Sequence, residues 1–306
     1  MTPLEDLTLL RAFVRIAESG GISAAARTLQ LPQPTLSRHL RTLEERCGVA
    51  LLHRDTHRMK LTEAGQRLLE DARAMLELAE AATQRLHGEQ SELRGHLRLF
   101  ATIDGGQFTV TRLIARFLQA NPGVTAELGY TNRPAHMIEE GFDAGVVVGA
   151  IADERVVARP AGTVTRHLAA SPELVKRLGL PKTPAALASW PWVSLSGDQF
   201  GGAQNVVLRR PGRQAQTVAV APVLRIEGVT GVREAARAGL GVAIVADWLA
   251  REDFVSGRLV RVLPQWRAEP LPVAVIFPSR RRLPARVRAF VDFAVAGMAA
   301  EMRADA

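Results

Sequence analysis

The sequence predicts an α/β chain built from an N-terminal winged helix-turn-helix, a linker helix, and a larger α/β body of two lobes around a cleft. Three observations carry that fold class. In "LQLPQPTLSRHLRTLEE", Leu29 to Glu45, the apolar residues Leu36, Leu40 and Leu43 fall at i, i+4 and i+7, while two prolines crowd the start and hydrogen-bond donors fill the open face. Farther on, Leu61, Leu68, Met75 and Ala82 recur every seven residues, with no proline from Leu61 to Leu86. Beyond the polar break "HGEQSELRG", His87 to Gly95, strands that are apolar throughout alternate with helices, as buried parallel strands do.

The bulk numbers agree with several domains. A chain of 306 residues is too long for one small core, and a formal charge of +8 favours an anionic partner, either nucleic acid or a membrane surface. The start "MTPLEDLTLL" is acidic and lacks the basic-then-apolar order of a leader, and no apolar run is long enough to span a bilayer. A cytoplasmic location with no membrane partner is therefore expected. The single Cys47 excludes an intramolecular disulfide framework and a Cys-rich zinc site; next to Gly48 it reads as a small packed side chain.

Taken in order, "LTLLRAFVRIAES" puts Leu7, Leu10, Phe13, Val14 and Ala17 on one helical face, ended by Gly20-Gly21. The second helix lies in "ISAAARTLQ", where Ser23 or the residue before it is the expected cap and Ala24-Ala25-Ala26 lets another helix cross closely. Pro32 and Pro34 then start the third helix rather than break it, because first-turn N–H groups have no intrahelical partner and proline presets φ. Its leucines pack back, and Gln33, Thr35, Ser37, Arg38, His39 and Arg41 face outward. That is the arrangement of a recognition helix. "VALLHRDTHRMKLT" reads as two short strands around the basic turn Asp55 to Arg58, a wing that would follow the phosphate backbone or reach a minor groove.

On Phe13, Ala25, Ala26, Leu29, Gln33, Ser37, Leu43, Glu44, Gly48, Leu51, Arg54, Leu61, Thr62, Ala64 and Gly65, the segment Leu7 to Leu69 resembles the DNA-binding domain of LysR-type transcriptional regulators. Gly21, where relatives usually carry Ser, and Leu52, where Phe is common, depart from the pattern without removing a DNA-facing group. The DNA-binding set expected is Ser23, Gln33, Pro34, Thr35, Ser37, Arg38 and Arg41 from the helices, with Arg54, Thr56, His57, Arg58 and Lys60 from the wing. Gln33, Thr35, Ser37 and Arg38 should include the base readers, whereas Arg54, Arg58 and Lys60 should mostly hold phosphates.

Gly65, Ala72, Ala79 and Leu86 run beside the heptad positions, and Arg67, Glu70, Arg73, Glu77, Glu80 and Arg85 make up the charged remainder. This reads as a coiled-coil seam, with Leu61, Leu68, Ala72, Met75, Ala79 and Leu86 as dimerisation residues. A homodimer or homotetramer on a two-fold axis would read a pseudo-palindromic promoter site in double-stranded DNA.

In the remainder, strands are expected at "HLRLFAT", "VTAELGY", "AGVVVGA", "HLAAS", "WVSL", "VAVAPVL", "GVAIVA" and "PVAVIFP". Helices are expected near Thr111 to Gln119, Pro134 to Glu140, Pro172 to Leu178, Val229 to Ala238 and Pro284 to Met298. The pieces "NPGV", "EEGFDAG", "AASPE", "EAARAGLGVAIVADWL", "GRLVRVLPQW" and "PARVRAFVDF" extend the resemblance to the effector-binding domain of the same regulators, a fold similar to periplasmic binding proteins. The expected boundaries are 1–62 for the DNA-binding domain, 63–88 for the linker and 89–306 for the effector-binding domain, with lobe I at about 95–165 and 272–300 and lobe II at about 166–271.

Catalytic signals are poor. "AGLGVA" follows a helix and precedes a strand, the reverse of a dinucleotide loop, so Gly239 reads as a helix C-cap, and no G-x-S-x-G elbow is present. His39, His53 and His57 lack carboxylate or Cys companions at ligand spacing and fall on the DNA face, so neither metal nor cofactor is expected. Arg280-Arg281-Arg282 reads as a solvated loop, with a subunit or RNA polymerase contact as the alternative. Three functions stay in view: a ligand-responsive regulator, an architectural DNA-binding protein, and an enzyme with a basic appendage. A ligand that shifts both melting temperature and footprint separates the first two, and turnover of that ligand marks the third.

The resemblance implies a small-molecule effector lined by Thr102, Ile103, Asp104, Tyr130, Thr131, Asn132, Val147 and Gly149 from one lobe, and by Gln199, Phe200, Glu227 and Gly228 from the other. Many relatives have Ser or Thr at the position of Asp104 to hold an effector carboxylate, and those with the nearest motif pattern often have Arg at Val147. With Asp104 and Val147 here, a neutral or amine-bearing effector is expected, unless Asp104 is merely a solvated N-cap.

Overall fold

The computed structural model describes residues 4–54, 59–86, 93–132, 137, 140–201, 204–279 and 283–304. The readings that fall on Thr56, His57, Arg58, Arg280, Arg281 and Arg282, on most of the expected helix from Pro134 to Glu140, and on the side chains of Arg54 and Leu86 lie outside the described residues. The chain divides into two compact units, Met1–Ser91 and Glu92–Ala306.

In the first unit α1 spans Leu7–Glu18, its N-terminus capped by the Asp6 carboxylate, which accepts from Thr8 N at 3.0 Å. Helix α2 spans Ile22–Leu29. Here the structure corrects the expected cap: the N-cap is Gly21, no side chain bonds the first turn, and Ser23 stands exposed. Helix α3, Gln33–Cys47, starts at Pro32 with Pro34 in its first turn and ends at Gly48 in the left-handed conformation, φ 70°. Strands β1 (Leu52–Arg54) and β2 (Met59–Leu61) pair antiparallel with Leu52 opposite Leu61.

The wing is anchored to α3 by one carboxylate: Glu44 Oε1 accepts from Leu51 N at 2.9 Å and Leu52 N at 3.3 Å. Helix α4, Glu63–Leu86, follows at once. Thr62 Oγ1 donates to Ala50 O at 2.8 Å and accepts from Gly65 N at 2.9 Å, so one hydroxyl ties the wing to the helix start. Gly65 is required there, since a Cβ would lie 2.0 Å from Leu51 O. The core gathers Leu10, Phe13 and Ile16 of α1, Ala25 and Ala26 of α2, Leu36, Leu40 and Leu43 of α3, and Leu68, Leu69, Ala72 and Leu76 of α4.

The second unit runs β3 (Gly95–Ala101), α5 (Ile103–Gly105), a π turn at Gly106–Val110, α6 (Thr111–Ala120), β4 (Val124–Tyr130), β5 (Ala144–Val148), β6 (Val156–Ala170) and α7 (Pro172–Leu178). It continues with β7 (Trp192–Leu195), β8 (Asn205–Arg209), β9 (Gln216–Ala219), β10 (Pro222–Ile226), α8 (Val229–Arg237), β11 (Val242–Ala246), α9 (Asp247–Ser256), β12 (Val260–Arg261), β13 (Arg267–Pro278) and α10 (Ala285–Ala304). The strand order is β10-β7-β11-β6-β13-β5-β3-β4.

Strands β4, β3 and β5 pair in parallel at one end, and β10, β7 and β11 do so at the other. Between them β6 and β13 run antiparallel to each other from Val156 opposite Pro278 to Arg166 opposite Ala268, with the register shifting between Ala268 and Leu271. These two strands belong to both lobes and form the crossing between them. Lobe I packs α6 and α10 on its sheet through Leu113, Phe117, Val287 and Phe290; lobe II has cores on both sheet faces, one around Trp192 and Leu208, the other around Val232 and Val245.

The sequence reading of this unit is corrected in several places. "HLAAS" is only the end of a fifteen-residue β6, whose first part, with Pro160, Gly162, Thr163 and Thr165, lacks an apolar run. "VAVAPVL" holds two strands, β9 and β10, rather than one. Strands β8 and β12 and helix α9 were not expected at all. Within α9 lies Asp253, fully buried, accepting from Arg258 Nε at 2.7 Å and from Arg233 Nε of α8.

Candidate DNA interface and interlobe cleft

On the N-terminal unit, α3 leaves Gln33, Pro34, Ser37, Arg38 and Arg41 exposed and Thr35 half-buried, because Leu36, Leu40 and Leu43 take the buried stripe. No side chain caps this helix, so its N-terminal end carries the partial positive charge that suits a phosphate. Arg41 reaches Glu45 at 3.7 Å, but both side chains are so exposed that the pair contributes little and leaves the guanidinium available. On the wing His53 and Lys60 are cross-strand neighbours and both exposed. His39 departs from its assignment to the DNA face: it is half-buried, with Nδ1 buried and unpartnered. The Cys47 thiol is also half-buried, and burial pushes its pKa up, away from the thiolate.

The linker face needs a correction. Leu68 is 9% exposed and Ala72 fully buried, both inside the subunit's own core, with Leu61 and Met75 packed against that core. Arg73, one of the charged remainder, donates to Glu18 of α1 at 3.2 Å in a half-buried pair. The heptad correctly reports a buried face, but α1 of the same chain covers most of it. Among the described side chains of α4, Leu78, at 59% exposure, is the large apolar one left open, and Ala79 and Ala82 beside it are half-buried.

In the second unit a cavity of about 100 Å³ lies between the lobes. Of the expected lining, Thr102, Asp104, Asn132, Phe200 and Glu227 border it. Val147 does not: in β5 successive side chains alternate, so Val146 and Val148 face the cavity while Val147 packs with Phe100, Met137 and Ile276 behind the sheet. Ile103, Tyr130, Thr131, Gly149, Gln199 and Gly228 are also off the wall. Several of them build its rim. Ile103 N donates to Asn132 Oδ1 at 3.2 Å, Tyr130 and Thr111 hydroxyls share a bond of 2.8 Å, and Gly149 lies so near Gln199 that a Cβ would stand 2.4 Å from Gln199 O.

Asp104 is neither solvated nor the cap of its own helix, which starts at Thr102. It is 7% exposed and its carboxylate reaches across the lobes to the start of α8, accepting from Val229 N at 2.7 Å and Thr230 N at 3.0 Å. A Cβ at Gly228 would stand 3.4 Å from Asp104 Oδ2, an ordinary contact, so the approach does not depend on the glycine. Asn132 adds a second link through Nδ2 to Glu227 O, and Gln199 a third through Nε2 to Asn132 O. Among the described residues the lobes are thus joined along one edge by these bonds, two of them accepted by a single carboxylate, and by Ala150 N, which donates to Gln199 O at 2.9 Å.

Sequence reasoning missed much of the wall: Thr109, Val164, Arg166, Trp192, Ser194, Ile244, Trp248, Met298 and Met302. Arg166 had a legible signal, a lone cation in the apolar end of β6. Its guanidinium donates to Glu269 O at 2.9 Å and Phe200 O at 3.3 Å, both backbone carbonyls.

The family comparisons agree with this layout. Residues 7–66 match the bacterial regulatory helix-turn-helix protein, lysR family, and residues 90–299 match the LysR substrate binding domain. An HTH-type transcriptional regulator of Xanthomonas campestris pv. campestris (strain 8004) is 31% identical over 95% of this chain and 85% of its own length. YhjC of Escherichia coli (strain K12), also an HTH-type transcriptional regulator, is 29% identical over 95% of this chain and 97% of its own. The solved structure of CrgA, a LysR-type transcriptional regulator from Neisseria meningitidis, superposes with a TM-score of 0.58 at 25% identity, over 95% of this chain and 98% of that one. With a recognition helix in the first unit and two lobes around a cavity in the second, the chain belongs to the LysR family of helix-turn-helix transcriptional regulators.

Proposed function

We propose that this regulator's hold on promoter DNA is set by a small molecule bound between the two lobes of its second unit. The observation that carries the reading is the interlobe cavity itself. Its wall is mostly Val, Leu, Ile, Trp, Phe and Met with a few polar groups, the usual make-up of a small-ligand site, and both lobes contribute to it. A ligand there touches both lobes at once and so has differential contacts to offer in two lobe arrangements.

The DNA-contacting residues are Gln33, Thr35, Ser37 and Arg38 at base edges, supported by Ser23, Pro34 and Arg41, with Arg54, Thr56, His57, Arg58 and Lys60 along the backbone. The protein works in the cytoplasm as a homodimer or homotetramer on a pseudo-palindromic site. Since Leu61, Leu68, Ala72 and Met75 serve the subunit's own core, the dimer contact on α4 centres on Leu78, Ala79 and Ala82 and runs toward Leu86. Arg280, Arg281 and Arg282 are the candidate contact to RNA polymerase.

The test is a gel-retardation and footprinting assay with the DNA upstream of the protein's own coding region, run with and without compounds that raise its melting temperature. A compound that raises the melting temperature and moves the footprint supports the reading. Stabilising compounds that never alter the footprint would point instead to an architectural protein.

A further inference from the structure

The cavity carries a chemical signature that narrows its ligand. Arg166 lines it from β6. Every hydrogen bond of its guanidinium goes to a backbone carbonyl, of Glu269 or Phe200, and among the described residues no carboxylate lies within 4.0 Å of it. The nearby Glu269 carboxylate is committed to Arg209, which donates to it at 2.6 Å. Burial accordingly pushes the Arg166 pKa down to about 10 in spite of Glu269. Such a cation is incompletely satisfied: five N–H groups meet two carbonyls. Two further groups on the wall point the same way. Thr109 and Ser194 are more than nine-tenths buried, and among the described residues neither hydroxyl has a protein partner.

The start of α8 would be the natural anion site in this cleft, since helix N-termini bind carboxylates. Here the chain's own Asp104 fills it, with both carboxylate oxygens on α8 N–H groups. A ligand carboxylate is thereby kept away from α8, and Asp104, already engaged, is a poor holder for a ligand amine. That removes the basis for expecting an amine-bearing effector.

Resting on the effector reading above, we propose that the cleft takes a compact, mostly apolar ligand of about one ring, bearing one anionic oxygen group that is received by Arg166 on lobe II. The size follows from the volume: about 100 Å³ is comparable to the engineered apolar cavity of roughly 150 Å³ that accepts benzene. The remaining polar contacts of the ligand fall to Thr109 and Ser194.

Benzoate, benzamide and benzylamine share one ring and differ in charge, so calorimetric titration of all three into the full-length protein reads the preference directly. Benzoate should bind at least tenfold tighter than benzamide, with benzylamine weakest. Arg166→Gln should erase the benzoate advantage while leaving benzamide unchanged, and Arg166→Lys, which keeps the charge, should retain part of it. Should Arg166→Gln fail to fold, the order on the wild-type protein still decides. Benzylamine binding as well as benzoate, a benzoate preference that survives Arg166→Gln, or no binding by any of the three would overturn the proposal. Retardation of the upstream DNA by the same preparation separates the outcomes. If DNA binding and its response to other compounds persist, only the ligand class falls; if they are absent, the effector reading falls with it.

Discussion

Arg38 and Lys60 both leave a positive charge exposed on the N-terminal unit, yet their surroundings assign them different work. Arg38 stands on the recognition helix, so Arg38→Ala should cost about 1 to 3 kcal/mol on the cognate site and relax sequence preference, whereas Lys60→Ala on the wing should weaken all DNA alike and reduce the salt slope by about one unit. Binding isotherms on cognate and scrambled duplexes at several salt concentrations check both, and equal loss of specificity would show the faces to be misassigned. In the second unit, burial first and then the Arg261 charge hold the His167 imidazole below its ordinary 6.5, although Asp247 Oδ1 lies 2.8 Å from Nε2. Below pH 6.5 the unfolded chain therefore takes up a proton that the folded chain refuses, and stability falls. Asp253 acts lower down. Burial raises its pKa, but Arg233, Arg258 and Arg237 outweigh that and hold it below the usual carboxylate range, so its contribution is present above about pH 4 and is lost as pH falls through the depressed value. Urea midpoints from pH 8 to pH 3 should show two descending steps, and His167→Gln should remove the upper one. Residues of this kind were the least legible in the sequence. Asp104 could be placed in the cleft, but not its partners 125 and 126 residues away, and Val147 was misread by one position because a strand apolar on both faces does not announce which side faces a ligand.

Among the elements, α4 shows how far periodicity carries. It located the helix and its buried face, but a seven-residue repeat is silent on whether the covering surface is another subunit or α1 of the same chain. The two possibilities separate in mutants. Leu68→Asp puts an unpaired charge into the core, costs several kcal/mol, and should unfold the N-terminal unit. Leu78→Asp should leave that unit's helical circular dichroism intact and lower the mass seen in light scattering; dimers that survive it would place the interface elsewhere. For α8, Asp104→Ala removes both side-chain bonds at its start and should cost about 1 to 2 kcal/mol by thermal unfolding. The helices α1, α2, α3 and α8 were legible because a single apolar stripe agrees with the glycines or prolines at their ends, even though the cap expected for α2 is not the one used. Helix α9 was not: its buried face includes the charged Asp253, satisfied by arginines from elsewhere, so the apolar period is broken. The first part of β6 hid for a related reason, since it is mostly exposed or half-buried, with Ala161 and Val164 its buried positions, and it carries a proline and a glycine.

At the scale of the whole chain, lobe I is assembled from two stretches separated by all of lobe II, and β13 is inserted between β5 and β6. A chain stopped before Arg267 should keep a protease-resistant N-terminal unit while the rest is digested, because lobe I then lacks both β13 and α10; a resistant fragment beyond residue 92 would contradict this. The same crossing also sets an order of events during synthesis. About 130 residues separate the end of β5 from the end of β13. At roughly 5–20 residues per second the ribosome needs about 7 to 26 seconds to deliver them, while the N-terminal unit is already complete. The newborn regulator thus passes through an interval in which its DNA-binding unit has all its residues and its interlobe cavity has none of the closing strand. Any control exerted through that cavity begins only when the last fifth of the message has been read.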